Sequence, residues 1–151
     1  MAILVRDVMS TELVTLIAKE TVSLADQLMK TIEVRHLPVL GDNGELVGIV
    51  SDRDLLSAAA SCLAGLDEND ARVYRRQIAI GEIMSCDIRV VTPTTPLLEA
   101  ANLMHGRKIG CLPVIDGDAL VGIVTESDLV GVLITALRGP PTPADAPPQL
   151  G

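Results

Sequence analysis

Aromatic side chains are almost missing from this sequence: Tyr74 stands alone, with no Phe and no Trp among 151 residues. A core must therefore be assembled from Val, Ile, Leu, Met and Ala. Basic residues are also in short supply, 12 Lys and Arg against 20 Asp and Glu, for a formal net charge of −8. A chain that can neither stack bases on aromatic rings nor neutralise phosphates in bulk is a poor match for nucleic acid. Long apolar runs are absent. The longest near-apolar stretch, Leu129 to Leu137, falls far short of the roughly 18–20 residues that cross a bilayer, so no membrane partner is expected. The N-terminus meets Arg6 and Asp7 at once and shows no small-residue cleavage site, which predicts a cytoplasmic protein without a signal peptide.

Cysteine and histidine are sparse in the same informative way. Cys62, Cys86 and Cys111 are an odd number at wide spacings with no CxxC pair, a pattern of reduced thiols rather than a disulfide framework. His36 and His105 are the only histidines and neither sits at ligand spacing, so no metal site is expected. No nucleophile elbow and no Gly-rich phosphate loop are present, and the chain reads as a non-enzyme that requires no cofactor.

What is present is a duplication. Met9-Ser10 recurs as Met84-Ser85, Leu28-Met29 as Leu103-Met104, and Leu37-Pro38-Val39 as Leu112-Pro113-Val114, all at an offset of 75. After a loop one residue shorter in the second copy the offset becomes 74. Leu46-Val47-Gly48-Ile49-Val50 then matches Leu120-Val121-Gly122-Ile123-Val124, and Asp54-Leu55 matches Asp128-Leu129. Identities in constant order at constant spacing mark a tandem repeat.

Each copy predicts the order β-α-β-β-α, and the fold class is α+β. A short helical lead (Val5 to Met9; Ile80 to Met84) precedes a β-branched stretch, Leu13 to Ile17 or Ile88 to Thr92. Val22, Ala25, Leu28, Met29 and Ile32 then share one helical face, as do Leu97, Ala100, Ala101, Leu103 and Met104. Two apolar strands follow, joined by Gly41-Asp42-Asn43-Gly44 or Asp116-Gly117-Asp118, residues that tolerate the positive φ of tight turns. A closing helix starts near Ser51 or Thr125. The boundaries that result are residues 1–66 for the first repeat, 67–79 for a linker extending its closing helix, and 80–138 for the second. The remaining 139–151, with five prolines, form a tail without packed structure.

One motif carries chemistry. Gly48-Ile49-Val50-Ser51-Asp52-Arg53-Asp54 and Gly122-Ile123-Val124-Thr125-Glu126-Ser127-Asp128 place a hydroxyl residue where a strand becomes a helix, with an acid three positions on. Hydroxyl, free backbone N–H groups and carboxylate thus gather at a positive helix end. Two readings stand side by side. The pattern is that of a capping box, and a carboxylate so placed can also accept both hydrogen bonds of a ribose diol.

With these residues in view the chain resembles a tandem pair of CBS domains (a Bateman module) over about Val5 to Leu137. The resemblance rests on the duplicated Leu-Pro-Val…Leu-Val-Gly-Ile-Val-(Ser/Thr)-x-x-Asp signature. It implies two repeats packed sheet to sheet with pseudo-twofold symmetry, and two clefts between them that take adenosine ligands such as AMP, ADP, ATP, NAD or S-adenosylmethionine. By the same resemblance Ser51 and Asp54 serve one cleft, Thr125 and Asp128 the other. The backbone ahead of each proline, His36-Leu37 and Cys111-Leu112, meets the adenine edge. Arg35 and His36 stand where some relatives carry a basic pair that touches phosphate, and Arg53, Arg107 and Lys108 are further candidate cations.

The function implied is that of a regulatory module, non-catalytic, which senses an adenine nucleotide, pairs as a homodimer and passes occupancy to an unidentified protein. The alternative is a dimerisation or interaction scaffold that needs no ligand.

Overall fold

Thr21, in extended conformation, accepts a hydrogen bond from the Leu24 N–H at 3.3 Å and so starts helix α1 (Val22–Ile32). The helix buries Val22, Ala25 and Met29 and ends on Glu33, held in the left-handed region at φ 56°. Its equivalent α4 (Leu97–Arg107) buries Leu97, Ala100 and Met104 and ends on Lys108 at φ 55°. These features come from a computed structural model that describes residues 2–62, 65 and 67–140. The expected tail falls outside the described residues from position 141 onward.

Strands β2 (His36–Leu40) and β3 (Leu46–Ser51) form an antiparallel hairpin, and β1 (Leu16–Ile17) joins β2 in parallel. Gly44 turns this hairpin at φ 79°, a conformation that costs a residue with a side chain far more than glycine. In the second copy β4 (Cys111–Asp116) and β5 (Ala119–Thr125) pair alone. The strand expected over Ile88 to Thr92 shrinks to one parallel bridge, Val91 to Val114. The cause is a single residue. Ala18 donates its N–H to the Leu40 carbonyl at 3.0 Å, whereas the residue 75 positions on is Pro93, which has no N–H to donate.

Helices α2 (Asp52–Cys62) and α5 (Glu126–Arg138) close the repeats. The segment expected to prolong α2 is instead a separate helix, α3 (Glu68–Arg75). Asp67 is extended there and caps the new helix by accepting from the Asp70 N–H at 2.8 Å. The two leading helices are single 3₁₀ turns, Val5–Asp7 and Ile80–Glu82. Asp7 accepts from the Leu4 N–H and Glu82 from the Ala79 N–H, both at 2.8 Å.

These turns are exchanged between the repeats. Val5 is fully buried with Val91, Ala100, Met104, Leu112, Val114 and Val124 in the second repeat's core. Ile80 is fully buried with Leu16, Ala25, Leu37, Val39 and Val50 in the first. Ser10 trades both backbone hydrogen bonds with Ile123, and Ser85 does the same with Ile49, at 2.9 and 3.0 Å in each case. Burying one such side chain contributes about 1.5–3 kcal/mol. The reciprocal docking joins the two small sheets into one α+β module whose halves are related by a pseudo-twofold axis.

Candidate functional site

The start of each closing helix is held by its own aspartate. Asp54 accepts from the Ser51 N–H at 2.8 Å, and Ser51 Oγ accepts in return from the Asp54 N–H at 3.1 Å. Asp128 accepts from the Thr125 N–H at 2.8 Å and from the Thr125 hydroxyl at 3.2 Å. In both carboxylates Oδ2 takes these bonds. Oδ1 makes no hydrogen bond among the described residues. The capping box and the ligand motif are therefore compatible: one oxygen fixes the side chain while the other stays available.

Two clefts open between the repeats, and each is built from both of them. The larger, about 570 Å³, sets Thr125 and Asp128 of the second repeat across from Arg35, His36, Leu37 and Pro38 of the first. The smaller, about 340 Å³, sets Ser51, Arg53 and Asp54 of the first repeat across from Lys108, Gly110 and Cys111 of the second. Crossing comes from the exchanged leads: the chain after Ser10 lines the larger cleft with Glu12, Leu13 and Val14, and the chain after Ser85 lines the smaller with Asp87, Ile88 and Arg89. A backbone edge is open here as well. Pro113 turns its carbonyl outward to the Val91 N–H at 3.0 Å. The alternation of an antiparallel strand sends the N–H and C=O of Cys111 to the same side.

Arg35 and His36 border both clefts. The imidazole lies against the second repeat, since a Cβ added to Gly110 would meet His36 Nε2 at 2.8 Å and Cε1 at 3.0 Å. That position is the counterpart of Arg35, so the His36 ring occupies the space a second basic side chain would need. Burial pushes the His36 pKa below its usual 6.5, and the guanidinium of Arg35 acts in the same direction. The carboxylates of Asp52, Glu126 and Asp54 pull the other way without overcoming burial. Burial also raises the Cys111 thiol to about 12, which makes it an inert wall residue.

Of the residues singled out from sequence, Ser51, Arg53, Asp54, Lys108 and Cys111 meet in the smaller cleft. Leu37, Thr125 and Asp128 meet in the larger. The Leu112 side chain is fully buried in the second repeat's core, so only its backbone, the part expected to meet a base, is left to face a ligand. Arg107, in the last turn of α4, borders neither cleft. Arg89 was not expected and lines the smaller cleft. The repeat itself holds the signal, because position 89 is the counterpart of Val14 and carries the one charged residue in the two β-branched stretches.

Among the described residues no group of three or more His, Cys, Asp or Glu could hold a metal ion, and no helix is long and apolar enough to cross a membrane.

Comparison with known proteins agrees with this geometry. The profile of the CBS domain matches twice, at residues 5–61 and 80–135. A CBS domain-containing protein of Dictyostelium discoideum is 34% identical over 93% of this chain and 98% of its own length. The crystal structure of CBSX2 in complex with AMP is 32% identical with a TM-score of 0.72, covering 89% of this chain and 98% of that one. The CBS domain pair of protein MJ0100, in complex with 5′-methylthioadenosine and S-adenosyl-L-methionine, superposes with a TM-score of 0.77 at 25% identity, over 90% of this chain and 99% of that one. Two matched domains, a reciprocal module and two cross-built clefts place the chain in the CBS-domain family, as a tandem pair.

Proposed function

We propose that this chain is a non-catalytic regulatory module that binds adenine nucleotides in the clefts between its two repeats and passes their occupancy to a partner protein in the cytoplasm. The observation that carries the reading is the state of Asp54 and Asp128. Each is tethered through Oδ2 to the start of its helix, keeps Oδ1 clear of hydrogen bonds among the described residues, and lines a cleft whose far wall belongs to the other repeat. A ribose diol donates to the free oxygen, while the open backbone edge of the pre-proline strand meets the base. Relatives of this architecture hold AMP in one case and S-adenosylmethionine with methylthioadenosine in another.

A ligand bridging both repeats changes their relative packing only to the extent that it binds one arrangement better than another. The structural route for that change is the pair of docked leads, which belong to one repeat in sequence and to the other in space. Thermal unfolding of nucleotide-free protein with AMP, ADP, ATP, NAD and S-adenosylmethionine tests the reading. Ligand at 100 times its Kd adds about 2.7 kcal/mol and raises Tm by several degrees. No shift with any of them contradicts it.

A second reading, a dimerisation scaffold, is favoured by one observation. Val130, Leu133, Ile134 and Leu137 are exposed at i, i+3, i+4 and i+7 along α5, which gives that helix an apolar outer face suited to a second copy of this chain.

A further inference from the structure

The two clefts are related by the pseudo-twofold, yet their charges are not. The smaller cleft is lined by four carboxylates and by the cations Arg35, Arg53, Arg89 and Lys108. Among the described residues the larger is lined by four carboxylates and, of the arginines and lysines, by Arg35 alone. Three equivalent positions make the difference: Val14, Glu33 and Ser127 of the larger cleft correspond to Arg89, Lys108 and Arg53 of the smaller. One of these pairs is held at a cost. Glu33 and Lys108 end α1 and α4 at φ 56° and 55°, where glycine would be less strained, and both keep a charged side chain there instead.

Phosphate affinity in an acidic protein has to come from local cations, and only the smaller cleft supplies them in number. A triphosphate in the larger cleft would face Glu12, Glu33 and Glu126 with Arg35 as the sole arginine or lysine among the described residues. The same carboxylates favour a ligand whose 5′ substituent is neutral or positive. Resting on the nucleotide-binding reading above, we infer that the clefts divide adenosine ligands by charge. The smaller takes phosphate-bearing nucleotides, and the larger takes an adenosine carrying a 5′ thioether or sulfonium.

The test is calorimetric titration of full-length, nucleotide-free protein with ATP and with S-adenosylmethionine, alone and each after saturation with the other. The two ligands are expected to bind together, and ATP binding is expected to weaken the more steeply with salt. Asp54→Asn and the charge reversal Arg89→Glu/Lys108→Glu should each weaken ATP by about tenfold or more while S-adenosylmethionine changes by no more than about twofold. Asp128→Asn should do the opposite. The transplant Val14→Arg/Glu33→Lys/Ser127→Arg should raise the ATP stoichiometry from one per chain to two.

Mutual exclusion of the two ligands, or loss of ATP binding in Asp128→Asn with Asp54→Asn unaffected, overturns the division while leaving nucleotide binding intact. Failure of both ligands to bind the unaltered protein overturns both.

Discussion

Met84 lies over Gly48 so closely that a Cβ on the glycine would sit 2.5 Å from the methionine Sδ and 2.9 Å from the Ser85 carbonyl oxygen. Met9 stands over Gly122 in the same way, with Sδ at 2.7 Å from such an atom. The glycine that heads each binding motif is thus the floor on which the other repeat's lead docks. Substituting it forces the methionine and a backbone carbonyl to move together. Gly48→Ala should destabilise by about 1–3 kcal/mol, the usual cost of overpacking. Gly106→Ala, in α4 with nothing within 4 Å of the added atom, should stabilise by about 0.5–1 kcal/mol. Urea unfolding of the two variants checks the contrast, and equal effects would contradict the docking account.

The aspartates separate into two roles by substitution. Asp54→Ala removes the acceptor for the Ser51 N–H and should cost about 0.5–2 kcal/mol of stability, as loss of a helix cap does. Asp54→Asn keeps a carbonyl oxygen for that N–H and should retain most of the stability, while losing the charge that a ribose diol prefers. Unfolding without ligand, set beside binding, distinguishes them. Matching losses of stability in both variants would make the carboxylate a cap that needs its charge.

His36 gives a pH signature whose sign is fixed. Its pKa in the folded protein lies below 6.5, the value it regains on unfolding, so in acid the unfolded chain takes up the proton first. The residue therefore costs nothing above pH 6.5 and lowers stability as pH falls from 6.5 through its folded value. His36→Gln should recover stability at pH 5.5 relative to pH 7.5 when each is compared with the unaltered protein. An identical difference at both pH values would place the ring in solvent.

The thiols should react unequally. Cys86 is exposed, whereas Cys111 is buried with its pKa raised to about 12. Brief treatment with iodoacetamide at pH 8, followed by peptide mass mapping, should label Cys86 well before Cys111. Comparable rates would mean that the smaller cleft opens far enough to solvate the thiol.

For the outer face of α5, Leu133→Glu puts a charge amid Val130, Ile134 and Leu137, on a side chain that is 55% exposed within one chain. Light scattering should show a dimer for the unaltered protein and a monomer for the variant, with little change in folding. A dimer in both would move the interface elsewhere.

The parts of this architecture readable in the sequence are those written in local pattern. The buried stripe of α1 follows from Val22, Ala25 and Met29, and the hairpins follow from Gly44 and Gly117, both at positive φ. Ser51 and Thr125 mark where strand becomes helix, and the duplication gives the count of repeats. Relations across the pseudo-twofold leave no local trace. Val5 looks like part of the first repeat and packs in the second, because chain neighbourhood and spatial neighbourhood part company at the docked leads. Pro93 was visible, but its effect on a strand depended on knowing that Ala18 donates at the matching place. Arg89 lines the smaller cleft because the lead after Ser85 crosses to it, a placement that no local pattern encodes. Leu37 and Leu112 send their side chains into the two cores, so any part they have in a site is played by backbone, which side-chain pattern does not report.

On the proposed function, Asp54 and Asp128 hold adenosine in two clefts built across the repeats. Calorimetric titration of nucleotide-free protein and of the double variant Asp54→Asn/Asp128→Asn with AMP, ATP and S-adenosylmethionine tests it most directly. The account predicts saturable binding to the unaltered protein and its loss in a double variant that still folds. Equal binding by the double variant, or no binding of any of the three ligands to the unaltered protein, would contradict it.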